Sequence, residues 1–133
     1  PAVAPEPAAV VDTTFGVDAT GNGVPDALDR WVARSLRPPA TQEAARSYYT
    51  TVLPLATKAH LGIGLSLNEK RTALRAAECY LVTATDDGLR SPPNLNDQVL
   101  RLGGEAAARM KGLFQQLQGV DYPVSGRRQQ ACG

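Results

Sequence analysis

The sequence predicts an all-α domain of four main helices, and three observations carry that expectation. Apolar residues recur at three- and four-residue intervals through long alanine-rich stretches, as on one face of a helix. Aromatic residues make up only 5% of the chain, which favours close helix packing over a strand-rich core. No segment alternates apolar and polar residues long enough to argue for a strand, and no internal repeat is present. With 133 residues, 43% of them hydrophobic and 20% charged, the chain is long enough to bury one sizeable core.

The elements follow in order. Residues 1–13, opening "PAVAPEPAAVV", are expected to form a flexible leader, and 14–133 a single helical domain with a loop at 18–29. The leader has no initiator Met and no basic-then-apolar signal pattern, as expected of a stretch left by signal or lipoprotein processing or of an artificial boundary. A first helix should begin from Pro25, because proline is favoured in a first helical turn, and it places Leu28, Trp31, Val32 and Leu36 on one face. "RPPA" at 37–40 ends it, since proline cannot continue the hydrogen-bond ladder. A second helix over 41–60 takes Thr41 as N-cap and Ala45, Tyr48, Val52, Leu55, Ala56 and Ala59 as its stripe, with a kink or split expected at Pro54. Ser66-Leu67-Asn68-Glu69 is a capping-box sequence, and the helix it starts should bury Leu67, Ala73, Leu74, Ala77, Tyr80, Leu81 and Ala84 up to about Thr85. "DDGLRSPPN" reads as a loop. A last helix from 95 to 118 carries Leu95, Val99, Leu102, Ala106, Met110, Leu113 and Leu117, with a bend where Gly103-Gly104 weaken it.

Fourteen basic residues against 13 acidic leave a formal charge of +1, which offers no general reason for a nucleic-acid or anionic-membrane partner. No run approaches the roughly 20 apolar residues of a membrane helix, so no transmembrane segment is expected.

The stretch richest in chemistry is "DATGNGVPDALD", residues 18–29. Asp18, Thr20, Asn22, Val24, Asp26 and Asp29 stand at positions one, three, five, seven, nine and twelve around Gly23. Calcium takes six to eight hard oxygen ligands, and alternate residues of a tight turn can converge on one point. Val24 would offer its main-chain carbonyl, Asp26 would bind directly or through water, and Asp29 would close the cage from the first turn of the helix. Three carboxylates crowded into this stretch repel one another unless a cation or a helix N-terminus relieves them. The competing reading is an ordinary Asx/Gly turn capped by Asp26.

The stretch resembles the DxDxDGxxDxxD calcium loops of EF-hands, dockerins and thrombospondin type 3 repeats. Thr20 and Asn22 replace common aspartates, Asp29 replaces the long Glu of signalling EF-hands, and no second loop follows. The resemblance therefore implies a structural calcium clip at extracellular-like calcium, about 10⁻⁴–10⁻³ M in affinity, rather than a paired sensor. The chain as a whole also resembles uncharacterised bacterial secreted or periplasmic helical proteins, a likeness that brings no activity with it.

Cys79 and Cys132 lie too far apart for a CxxC redox motif and are too few for a zinc site. In an exported chain an even count favours a disulfide that pins the polar tail to the third helix; the alternative is one buried and one exposed thiol. With the calcium loop, the pair points to the periplasm or the exterior.

Catalytic motifs are absent: there is no GxSxG, HExxH or GxxxxGK[ST]. His60, the only histidine, reads as an exposed or capping residue at a helix end, and Glu69, Glu78 and Glu105 read as members of solvated faces. Tyr48-Tyr49, Arg71-Arg75 and Arg127-Arg128 read as core tyrosines and surface arginines before they read as contact patches. The expected function is protein–protein interaction without enzymatic activity, as an inhibitor or immunity-type partner of a cell-wall-targeting enzyme or as an adaptor. Two alternatives stay open, a carbohydrate- or peptidoglycan-associated module and an enzyme with an unrecognised carboxylate site.

Overall fold

A computed structural model describes residues 12–133. The described residues contain no strand and form helices α1 (Asp26–Ser35), α2 (Pro39–His60), α3 (Leu67–Asp86), α4 (Leu95–Leu100), α5 (Gly104–Leu117) and α6 (Arg128–Cys132). The all-α expectation is met, but with six helices among the described residues in place of four. Most of the expected leader lies outside the described residues.

The long α2 is the centre of the fold, with α1, α3 and α5 packed against it. It can serve three neighbours because its apolar surface is wider than one stripe: Ala45, Tyr49, Val52 and Ala56 are almost completely buried, and Ala44, Tyr48, Leu53 and Ala59 nearly so. Its alanines let neighbouring backbones approach closely. α2 begins at Pro39 with Pro38 as N-cap, so Thr41 is not the cap predicted from sequence. The second proline of "RPPA" both follows the end of α1 and starts α2, because its fixed φ suits a first turn. Thr41 is instead buried and donates its hydroxyl to Asp87 Oδ2 at 2.6 Å, across to the end of α3. Pro54 does not split α2; it lies on the exposed side, where water can satisfy the carbonyl it leaves without a partner.

α3 starts with the predicted capping box: Glu69 N–H donates to Ser66 Oγ at 3.0 Å and Ser66 N–H to Glu69 Oε1 at 2.9 Å. Its buried stripe is narrower than expected, since Leu67 and Leu81 are half exposed. The buried positions of α3 are Ala73, Glu78, Tyr80, Thr83 and Ala84. The expected last helix is two helices. Gly103 and Gly104 adopt φ of 68° and 52°, a left-handed conformation that ends α4 and re-aims the chain, and Leu102 is left exposed at the break.

Three tyrosines lock the start of α4 onto the body. Tyr49 donates to the Leu95 carbonyl and Tyr80 to the Pro93 carbonyl, each at 2.7 Å, while Tyr48 donates to Asn96 Oδ1. Burial pushes the Tyr48 and Tyr80 hydroxyls up to about 12, so both stay protonated donors. Tyr48 and Tyr49 meet edge to face, with centroids 5.9 Å apart.

A comparable lock holds the segment before the loop. Arg109 of α5 is buried, stands 5.6 Å over the Phe15 ring, and donates to Asp12 and, at 3.0 Å, to the Thr57 hydroxyl. Its guanidinium holds the Asp12 carboxyl at about 2. One side chain thus ties residues 12–15 to both α2 and α5, and so fixes where the loop begins.

Candidate metal-binding loop

The loop at 18–29 is folded around Asp18. Its Oδ1 accepts from Gly21 N–H at 3.0 Å and its Oδ2 from Gly23 N–H at 2.8 Å, with the Thr20 hydroxyl 3.3 Å from Oδ1. Asn22 Oδ1 accepts from Val24 N–H at 3.0 Å, and its amide donates to Asp29 Oδ2 at 2.9 Å. Asp26 opens α1, where its carboxylate accepts from Ala19 N–H at 3.2 Å. Val24 buries its side chain in the core, and this anchors the loop beside α2. Gly23 has φ of +85°, and a Cβ there would meet Thr50 Cγ2 of α2 at 3.1 Å, so the backbone both turns sharply and passes close to a neighbour.

The placement of the predicted ligands is uneven. Thr20, Asp26 and Asp29 line one shallow cleft together with Arg30 and Arg46, whereas Asp18 lines a second cleft with Phe15, Gly23 and Pro54. No three acidic, His or Cys groups come together as a metal-holding cluster among the described residues. The loop's own donors and one distant cation occupy the carboxylates instead. Arg46 of α2 donates through Nε to Asp29 Oδ1 at 2.6 Å. With the Asn22 amide, it holds the Asp29 carboxyl below its usual range against the opposing pull of burial.

The donor set still has the chemistry of a hard-cation site, with three carboxylates, a hydroxyl, an amide oxygen and a main-chain carbonyl in one loop. For those atoms to share an ion, the Asn22 side chain would turn its oxygen where its amide now points, and Asp26 would leave Ala19 N–H. Arg46 can remain on the far oxygen of Asp29. Sequence reasoning missed Arg46 and Thr50, because both approach the loop from α2 and leave no local signal.

The other candidates are placed as follows. His60 ends α2, with Nε2 3.3 Å from Glu105 Oε1, and Glu105 also lies 3.4 Å from Arg109 Nη2. Glu69 pairs with Lys58 at 2.9 Å across the α2–α3 turn. Tyr48 and Tyr49 are core residues, while Arg75, Arg127 and Arg128 are exposed and Arg71 is half-buried. Glu78 is the correction: it is buried, not part of a solvated face. Burial alone would raise its pKa, but donors from Gly126 N–H, Tyr122 and Ser125 outweigh that and leave it lowered. The sulfurs of Cys79 and Cys132 are bonded as the predicted disulfide, which joins α3 to α6. α6 itself was not expected in a tail read as polar. No protein-family model, curated protein or solved structure matches the chain.

Proposed function

We propose that this chain is a calcium-stabilised helical domain of the periplasm or exterior that works by binding another protein rather than by catalysis. The observation that carries this reading is the turn of Gly21 and Gly23 N–H groups onto Asp18, set directly before α1 with Asp26 and Asp29 in its first turn. An ion held by these side chains would fix the entry angle of α1 and of its half-buried Trp31. The disulfide supports an oxidising compartment. No helix among the described residues is long and apolar enough to cross a membrane.

Binding of a protein partner is supported by the α2–α3 turn, where Leu61 is 69%, Ile63 47% and Leu67 53% exposed within seven residues of chain. An inhibitor or immunity-type role against a cell-wall-targeting enzyme is the narrower form of this proposal. A carbohydrate module finds less support, because Tyr48, Tyr49 and Tyr80 are buried and unable to stack on a sugar.

Calcium is expected to stabilise the domain without switching it. An ion that binds only the folded state contributes RT ln(1 + [L]/Kd), about 1.4 kcal/mol at ten times Kd. The melting temperature should therefore rise by roughly 5 °C between chelator and calcium. Binding of a hydrophobic dye should stay unchanged, since a single loop opens no paired-hand groove. A melting point indifferent to calcium refutes the clip, and strong calcium-induced dye binding replaces it with a sensor.

A further inference from the structure

The C-terminal tail is held on α3 by two consecutive residues of different chemistry. Cys79 carries the disulfide to Cys132. Glu78, beside it, collects three donors from one short stretch of tail: Tyr122 hydroxyl at 2.9 Å, Ser125 hydroxyl at 3.3 Å and Gly126 N–H at 3.2 Å. Arg71 adds a bond from Nε to the Asp121 carbonyl at 3.3 Å. Ala131 of α6 is buried, and the buried Thr83 hydroxyl lies 3.5 Å from Cys132 Sγ, yet Cys132 itself is exposed. A buried carboxylate needs its hydrogen bonds whether or not the neighbouring disulfide is intact.

We propose that Glu78 is a positioning residue for the Cys79–Cys132 bond: the tail is a strap that a small dithiol can open, and Glu78 sets how readily it closes again. A thiolate of the dithiol attacks Cys132 Sγ, the S–S bond breaks, and Cys79 leaves as a thiolate and takes a proton. The second thiol of the reductant attacks the mixed disulfide and expels Cys132 as a thiolate, which takes another proton. The chain gains two electrons and two protons, and the dithiol becomes a cyclic disulfide.

In the reduced chain, Glu78 still holds Tyr122, Ser125 and Gly126. Cys132 lies only six residues beyond Gly126, so its thiol stays close to Cys79. That raises the effective concentration of one thiol at the other and favours the oxidised form. Without the carboxylate, only the Arg71–Asp121 bond and the burial of Ala131 still hold the tail, across a sequence separation of 53 between the cysteines.

The test is an equilibration of the full chain in reduced and oxidised dithiothreitol, quenched by alkylation and read by mass spectrometry. Glu78→Gln should shift the midpoint about tenfold toward the dithiol form, about 30 mV. Tyr122→Phe combined with Ser125→Ala should move it in the same direction with Glu78 in place, and this pair decides the matter if Glu78→Gln does not fold. Variants that melt earlier but keep the wild-type midpoint would overturn the proposal, since Glu78 would then support the fold without setting the bond.

Discussion

Cys132→Ser is expected to lower the unfolding free energy by about 2–4 kcal/mol and the melting temperature by roughly 10 °C. The bond closes a loop with a sequence separation of 53, for which the chain-entropy account gives a value near ~4 kcal/mol. The lower end of the range applies because Glu78 and Arg71 already restrain the tail in the reduced chain. Denaturant unfolding of the variant and of reduced wild type checks this, and the two should agree. A loss below about 0.5 kcal/mol in both would mean that the bond adds nothing to the hold that Glu78 and Arg71 already have on the tail.

Gly23→Ala is the second large effect, and Gly21→Ala is its control. Both glycines have positive φ, 85° and 69°, so each alanine carries the left-handed penalty of about 1–2 kcal/mol. At Gly21 a Cβ meets nothing within 4 Å, whereas at Gly23 it meets Thr50 Cγ2 at 3.1 Å. Thr50 is on α2, and its hydroxyl is bonded to the Ser47 carbonyl at 2.9 Å, which limits its freedom to turn away. Gly23→Ala should therefore cost about 2–3 kcal/mol and exceed Gly21→Ala by about 1 kcal/mol. Restoring part of that difference with Thr50→Ala in the Gly23→Ala background would locate the clash. Equal losses at the two glycines would remove Thr50 from the account.

What the sequence revealed and what it concealed divide along the range of the interactions. The capping box at Ser66 and Glu69 was legible because all its partners lie within one turn. The apolar spacing of α1 was legible for the same reason, and Leu28, Val32 and Leu36 are buried as it required. Pro39 was misassigned because the same residue type ends one helix and begins the next. Gly103-Gly104 was legible as a weak point. Its conversion into a full break depends on how α4 and α5 pack together and on the tyrosines that hold residues 93–96.

Long-range partners were invisible. Glu78 looked like a surface glutamate because its donors lie 44–48 residues away, in a stretch with no helical pattern. Asp29 looked like a free ligand because Arg46 reaches it from the next helix, 17 residues on. Offsets along the chain identified which oxygens the loop presents; they carried no information on which donors from α2 would reach them first.

That competition makes calorimetric titration of calcium into chelator-treated protein the most direct measurement. The account predicts one site per chain with Kd of about 10⁻⁴–10⁻³ M, lost in Asp18→Ala with Asp29→Ala. No heat up to about 10 mM calcium, ten times the weaker limit, would contradict it. So would a double variant that binds as well as wild type, and in either case the loop would be a turn closed by its own amides and Arg46.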